Sequence, residues 1–312
     1  MDQKIECIVM AERKNLPLDV KMGRSRACLE IGFGNGEFLA FMARENRETT
    51  WWGIEMSRAC VLRARRRIER EGLSNVRLLS GDARFFLREC LAGESLDGIY
   101  MNFPCPWPKK RHSKRRVSSG SFPSEVARVL KKGAFFELFT DEEWYGREVR
   151  DGMIAHPDLE EALWQVNPLR PVRTKYERRW LEMGKSLYLS RVEKKKRSAG
   201  GDPHYLGRAE DVHVRVQRRG SAGSVLKELF GREGKDGPSL WIYKRSYSDE
   251  GKCILLETVT MDGDFEQKFY LLVVEEEEDC LVKIAPYSTP FLTPAVKGAL
   301  MGLAGELERS AL

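Results

Sequence analysis

The sequence predicts an α/β fold: a parallel sheet flanked by helices over residues 1–200, followed by a smaller α+β domain over residues 201–312. Three observations carry this reading. Short apolar strands alternate with helical patterns in the first part. Three closely spaced glycines follow the first of those strands. The stretch Lys194-Lys195-Lys196-Arg197-Ser198-Ala199-Gly200-Gly201-Asp202-Pro203 runs from cations into small and breaker residues, and the strand signals beyond it are antiparallel in style. A length of 312 residues suits two domains, and a hydrophobic content of 42% is enough for a core.

Ala27-Cys28-Leu29-Glu30-Ile31 is the first strand, and the pattern through Phe38, Leu39, Phe41 and Met42 after it is helical. Trp51-Trp52-Gly53-Ile54-Glu55 reads as the second strand. A helix is predicted from Ser57 to Glu71, ended by Gly72. Val76–Ser80, Gly98–Asn102 and Ala134–Phe139 are the third, fourth and fifth strands, which the intervening helices make parallel. After residue 203, Ile254 to Met261 and Phe265 to Val274 form a hairpin through Asp262-Gly263-Asp264. Glu275 to Asp279 is an acidic turn, and Leu292 to Leu307 a closing helix.

Charge divides the chain at the same place. Residues 201–312 hold 14 Lys and Arg against 19 Asp and Glu, a net of −5; residues 1–200 hold 39 against 28, a net of +11. A basic first half is suited to a polyanion. The seven cysteines are scattered, with no Cys-x-x-Cys pair, so neither a disulfide framework nor a metal site is expected. No apolar run approaches the ~20 residues a membrane span needs, and Met1-Asp2-Gln3-Lys4 does not open a secretory signal. A cytoplasmic protein without a membrane partner is expected; homo-oligomer formation is left open.

Leu29-Glu30-Ile31-Gly32-Phe33-Gly34-Asn35-Gly36-Glu37 is the first informative motif. Gly32, Gly34 and Gly36 let the backbone turn sharply after a strand and pass close to a ligand. The spacing differs from the Gly-x-Gly-x-x-Gly of dinucleotide sites. Acidic Glu30, just before the glycines, suits a cofactor carrying an ammonium and a sulfonium better than one carrying phosphates. Glu55 ends the second strand, where an acid accepts from ribose hydroxyls. Asp82 follows the third strand, within reach of an adenine amino group. Asn102, ending the fourth strand, joins this group. S-adenosylmethionine is therefore the expected cofactor, bound at the carboxyl ends of consecutive strands.

The second motif, Asn102-Phe103-Pro104-Cys105-Pro106-Trp107-Pro108-Lys109-Lys110-Arg111-His112-Ser113-Lys114-Arg115-Arg116, opens onto the same crevice. Its prolines stiffen the loop. Trp107 offers a flat face to a base or cation. Lys109, Lys110, Arg111, Lys114, Arg115 and Arg116, with His112 among them, form a candidate phosphate clamp.

Together these residues resemble the tRNA (guanine-N7-)-methyltransferase family over about residues 25–195. The resemblance rests on the glycine loop, on Gly53-Ile54-Glu55, on Pro106-Trp107-Pro108-Lys109-Lys110-Arg111-His112 with Lys114-Arg115-Arg116, on Thr140-Asp141, and on Thr174-Lys175-Tyr176-Glu177-Arg178. It implies a Rossmann-like S-adenosylmethionine-dependent methyltransferase fold, tRNA as partner, and a variable-loop guanosine as target. It also implies that Glu30, Glu55 and Asp82 bind cofactor, and that Lys109, Asp141, Thr174, Lys175, Tyr176 and Glu177 contact the guanine nucleotide. One position departs: the family has Pro-Asp-Pro where this chain has Pro104-Cys105-Pro106. Asp141 and Glu177 are expected to keep part of the missing carboxylate's role while Cys105 fills the loop. Two other readings stand beside this one. A tRNA-binding protein of the same fold without turnover would bind cofactor but transfer nothing. A methyltransferase of another RNA base would prefer other acceptors.

Overall fold

The computed structural model describes residues 7–8, 20–21, 23–109, 111, 116, 118, 120–197, 213–217, 221–248, 253–263, 265–286, 288 and 290–309. The chain divides into two compact units, Met1–Tyr205 and Leu206–Leu312.

In the first unit the elements run β1 (Cys7–Ile8), β2 (Arg26–Ile31), α1 (Glu37–Glu45), β3 (Thr49–Glu55), α2 (Arg58–Arg70), β4 (Val76–Ser80) and the single turn α3 (Ala83–Phe85), which continues as a π-helical turn at Phe86–Cys90. Then follow β5 (Leu96–Asn102), α4 (Phe122–Val129), β6 (Leu130–Thr140), α5 (Glu143–Ile154), β7 (Leu159–Val166), α6 (Lys175–Glu182) and β8 (Tyr188–Lys194). They build an eight-stranded sheet in the order β1-β4-β3-β2-β5-β6-β8-β7. The central strands are buried almost end to end, as in Thr49–Ile54, because helices cover both faces of a parallel sheet. Helix α2 shows the local logic. The Ser57 hydroxyl caps it by accepting from the Cys60 N–H at 3.4 Å. Val61, Ala64 and Ile68 form its buried stripe, and Gly72 at φ +59° lets the chain leave.

The five strands expected from the sequence, β2 to β6, are parallel to one another, and two strands not read from the sequence, β7 and β8, extend the sheet at one edge. β8 lies antiparallel between β6 and β7. The connection from Asn167 to Leu187 contains a helix. That helix is α6, and its first residues line the cleft described below instead of crossing the sheet. The chain therefore returns beside β7 in the opposite direction.

The second unit comprises β9 (His213–Gln217), α7 (Ala222–Glu228), β10 (Glu233–Asp236), β11 (Ser239–Ser248), β12 (Cys253–Asp262), β13 (Phe265–Glu275), β14 (Asp279–Ile284) and α8 (Pro294–Arg309). Its six strands are antiparallel in the order β10-β11-β12-β13-β14-β9. β12 and β13 pair from Asp262 opposite Phe265 outward, around Gly263 at φ +64°. Leu256, Leu271 and Val282 pack against Val225 and Leu226 of α7 and Val296, Leu300 and Leu303 of α8. Trp241 fits a slot that glycine creates: a Cβ at Gly234 or Gly298 would come within 2.2 or 2.3 Å of its ring. Among the described residues no helix is long and apolar enough to cross a membrane.

Candidate active site

In the sheet of the first unit the order reverses beside β2, whose neighbours β3 and β5 lead in opposite directions. Such a switch point leaves a crevice at the carboxyl ends of the strands. Here it is a cleft of about 430 Å³. Glu30, Gly32, Gly34, Glu55, Asp82, Asn102, Cys105, Trp107, Thr174, Lys175 and Tyr176 all line it. Residues from five separate stretches of chain thus meet at one place.

The glycine loop forms by backbone geometry. Gly32, Gly34 and Gly36 have φ of +72°, +54° and +71°, the left-handed region that side chains disfavour. The Gly32 N–H donates to Ile54 O at 2.8 Å and the Gly36 N–H to Phe33 O at 2.8 Å. Gly36 does not line the cleft; a Cβ there would stand 2.8 Å from Ala64 Cβ of α2. Its task is to let α1 and α2 approach. Glu55 accepts from the Gly34 N–H at 3.0 Å and the Ser57 N–H at 2.9 Å, which ties the loop to the end of β3. A carboxylate has about four lone-pair sites, so acceptor capacity remains for ribose hydroxyls. Asp82 accepts from the Arg84 N–H at 2.9 Å and pairs with the Arg84 guanidinium at 2.7 Å.

Glu30 is 2% exposed, yet it lines the cleft. Asn102 Nδ2 donates to its Oε1 at 2.9 Å, while Oε2 has no hydrogen-bond partner. Burial pushes its carboxyl up to about 7, against the opposing pull of the Asn102 hydrogen bond and the Arg170 charge. A buried carboxylate oxygen left without a partner, on a residue that lines a cleft, is a fit for an ammonium group. With Glu55 at the next strand end and Phe33, Phe38, Ile54 and Ala83 as apolar walls, the residues present fit S-adenosylmethionine.

The opposite wall is built differently. Phe103 and Trp107 have φ of +48° and +44°, so the loop between them is held in a conformation costing of order 1–3 kcal/mol at each. Two anchors hold it. The Phe103 N–H donates to Phe139 O at 2.7 Å, and their rings meet edge to face. Arg116 donates from Nε to Pro106 O at 2.9 Å and from Nη2 to Trp107 O at 3.1 Å, while Nη1 pairs with Glu148 at 2.5 Å. Arg116 is 7% exposed, so the structure gives it a different task from the phosphate contact expected of it: its guanidinium is committed to loop carbonyls and a carboxylate. Cys105 is exposed on the cleft rather than filling the loop interior, because prolines on both sides keep the turn extended. Lys109 and Arg111 are exposed and do not line the cleft. Lys110, His112, Lys114 and Arg115 lie outside the described residues.

Thr174 caps α6 by accepting from the Glu177 N–H at 3.3 Å, and the Lys175 N–H donates to Glu37 at 2.6 Å. Tyr176 stands at the cleft, 54% exposed. Asp141 and Glu177 do not line it. Asp141 is paired with Lys185 Nζ at 2.5 Å. Glu177 is 2% exposed, and burial raises its carboxyl above the usual range.

Sequence reasoning missed the residue behind this wall, Arg170. Its side chain is 4% exposed and sits over the rings of Phe38 and Phe139 at 5.0 and 4.1 Å. Nη2 donates to Asn102 Oδ1 at 2.9 Å, and Glu137 and Glu177 each stand 3.8 Å away. The only local sign is an arginine wedged in Asn167-Pro168-Leu169-Arg170-Pro171, where prolines fix the direction of the chain. Among the described residues no group of three or more His, Cys, Asp and Glu could hold a metal ion.

Comparison with known proteins adds a consistent result. The family profile described as "Putative methyltransferase" matches residues 24–190. A tRNA (guanine-N(7)-)-methyltransferase of Thermotoga maritima is 37% identical over 285 residues, 91% of this chain and 90% of that protein. Proteins of the same name from Thermus thermophilus and Aquifex aeolicus are 34% and 28% identical, over 91% and 96% of this chain and 89% and 98% of theirs. A solved 16S rRNA (adenine(1408)-N(1))-methyltransferase mutant of Catenulisporales acidiphilia is 15% identical with a TM-score of 0.43, covering 57% of this chain and 89% of its own.

Proposed function

Because the chain belongs to the tRNA (guanine-N(7)-)-methyltransferase family, we propose that it methylates N7 of a guanine in tRNA, a variable-loop guanosine in particular, in the cytoplasm. The observation that carries the reading is one cleft with two walls: orphaned Glu30 with Glu55 and Asp82 on one side, and the strained Phe103–Trp107 loop with Thr174, Lys175 and Tyr176 on the other.

Bound S-adenosylmethionine supplies an electrophilic methyl on a sulfonium. Guanine N7 carries a free lone pair and no proton, so the protein needs no general base; its work is alignment. Near-attack positioning can supply roughly 7–11 kcal/mol of barrier reduction. Glu30 holds the ammonium end and Glu55 the ribose. Trp107 and Tyr176 present aromatic faces to the base. The methylated purine is cationic, so negative charge near it favours the transition state. With Cys105 where the resemblance implies an aspartate, Asp141, one residue beyond β6 and outside the cleft lining, is the carboxylate assigned to this end, its charge moderated by the pair with Lys185. Lys109 and Arg111 on the exposed lip take phosphates.

The unit Met1–Tyr205 carries this chemistry, and Leu206–Leu312 is an extension of it. The test is nucleoside mass spectrometry of tRNA transcripts incubated with the purified protein and S-adenosylmethionine, beside rRNA and DNA acceptors. N7-methylguanosine in tRNA alone is the expected product. Cofactor binding with no methylated nucleoside in any acceptor would replace the reading with that of a tRNA-binding protein without turnover.

A further inference from the structure

The two walls of the cleft share one buried cation. Arg170 Nη2 donates to Asn102 Oδ1 at 2.9 Å, and Asn102 Nδ2 donates to Glu30 Oε1 at 2.9 Å. The same guanidinium faces Glu177 Oε2 and Glu137 Oε1 at 3.8 Å, too far for hydrogen bonds but close enough for charge to act. Glu30 Oε2, Arg170 Nη1 and Glu177 Oε2 are all buried without hydrogen-bond partners. Glu137 is the one acid of the three that has a full partner, Arg191 at 2.6 Å.

We propose that Arg170 is a positioning residue that links cofactor binding to the base-side wall, acting on Glu30 through Asn102 and on the Thr174–Glu177 turn through Glu177. The inference rests on the reading of the cleft as a methyl-transfer site. Arg170 itself touches neither ligand. It sets the orientation of the Asn102 amide, and so the direction of the Glu30 carboxylate. It also holds the acid at the first turn of α6, whose preceding residues Thr174, Lys175 and Tyr176 line the cleft. Removing charge at one end of the chain is therefore felt at the other.

The sign of that coupling can be worked out. Glu30 sits among Asn102, Arg170, Glu55 and the backbone N–H of Leu39, and Arg170 is the cation that favours its ionised form. Without Arg170 the carboxyl holds its proton to higher pH, and an ammonium ligand binds less well at neutral pH. Without the charge of Glu177, Arg170 acts on Glu30 undivided, and the carboxyl ionises at lower pH.

The test uses the full chain and S-adenosylhomocysteine, titrated calorimetrically from about pH 5.5 to about pH 9, a window that spans the Glu30 carboxyl and a one-unit rise above it, so it reads binding and not turnover. Arg170→Met is expected to move the pH midpoint of binding upward by about one unit, roughly a tenfold weakening on the acid side. Glu177→Gln is expected to move it downward, although Glu177 does not line the cleft. The double variant is expected to follow Arg170→Met alone. Arg170→Lys keeps the charge on a shorter reach; if the methionine variant does not fold, lysine serves as its background for the same comparison. An unmoved midpoint in the Arg170 variant, or independent effects of the two substitutions, overturns the inference. Failure of the unaltered protein to bind S-adenosylhomocysteine would instead overturn the reading of the cleft itself.

Discussion

The two walls of the cleft are made by opposite means. The cofactor wall is built from contiguous backbone: three left-handed glycines, a strand-end acid that accepts two backbone N–H groups, and an acid that caps its own turn. The base wall is built from distant side chains: Arg116 reaching back to Pro106 and Trp107, Arg170 reaching Asn102 across 68 positions, and Lys185 reaching Asp141 across 44. The first wall is fixed by backbone hydrogen bonds, Gly32 N–H to Ile54 O, Gly36 N–H to Phe33 O and Gly34 N–H to Glu55, in a left-handed conformation that glycine adopts at little cost. The second is held against strain at Phe103 and Trp107 by charged hydrogen bonds, which can be removed one at a time. Substitutions in the first wall should therefore damage folding or cofactor binding outright. Those in the second, apart from Arg170 and Glu177, whose charges reach Glu30 through Asn102, should damage alignment while leaving the cofactor bound.

The largest effect is expected at Gly36. Valine there places a branched side chain at φ +71°, with its Cβ 2.8 Å from Ala64 Cβ. Left-handed backbone costs roughly 1–2 kcal/mol for such a residue and overpacking about 1–3 kcal/mol more. Gly36→Val should lower the thermal midpoint by several degrees and abolish S-adenosylhomocysteine binding, measured by calorimetry and thermal unfolding. Retention of both would show that the glycine wall is not backbone-limited.

Next comes Glu30→Gln, which keeps the shape and removes the charge. Hydrogen bonds to a charged group are worth about 1.5–3 kcal/mol, so binding of S-adenosylhomocysteine should weaken by roughly 10- to 100-fold at pH 7.5. The pH dependence follows from the raised carboxyl. Free of ligand, Glu30 holds its proton below about 7; an ammonium partner favours the ionised form, so binding expels that proton. Affinity should rise with pH up to about 7 and then level off. The Gln variant should show a flat profile over the same window.

How far each wall is legible in the sequence follows from the same contrast. Leu29 to Glu37 and Glu55 are readable because local spacing after a strand determines both the turn and the position of the acid. The strands 27–31, 51–55, 76–80 and 98–102 are readable because burial on both faces leaves almost continuous apolar runs. β7 is not, since Leu159–Val166 is exposed at five of its eight positions and gives no apolar run; nor is β8, whose buried positions include Ser190 and Lys194. Arg170 and Arg116 are not legible as buried either: an arginine in a loop or a cationic stretch normally points to solvent. Only the tertiary fold brings each to carbonyls and carboxylates that justify its burial. The role of Gly36 is hidden for the same reason, because its constraint is a neighbouring helix and not a ligand.

A smaller effect, confined to the second wall, is expected from Arg116→Met. It removes the bonds to Pro106 O and Trp107 O and leaves Glu148 without that partner. The strained loop should relax, and methyl transfer to tRNA should slow about tenfold through lost alignment. Binding of S-adenosylhomocysteine should change by less than about twofold, since Arg116 touches none of the cofactor wall. A loss of cofactor affinity as large as the loss of rate would erase the distinction between the walls.

The mildest change is the most specific. Cys105 lines the cleft and is exposed, at the position where the resemblance implies an aspartate. Cys105→Ala should alter the methylation rate by less than about twofold, because N7 offers no proton to remove and the thiol has no bond to make. Cys105→Asp places a carboxylate on the cleft where positive charge develops on the purine, and should raise the rate. The gain should be modest, about three- to tenfold, since water screens an exposed charge. Rates of N7-methylguanosine formation in tRNA would measure both. A large loss in the alanine variant would mean that the thiol takes part in the reaction. A loss in the aspartate variant would mean that this loop is tuned for a neutral side chain.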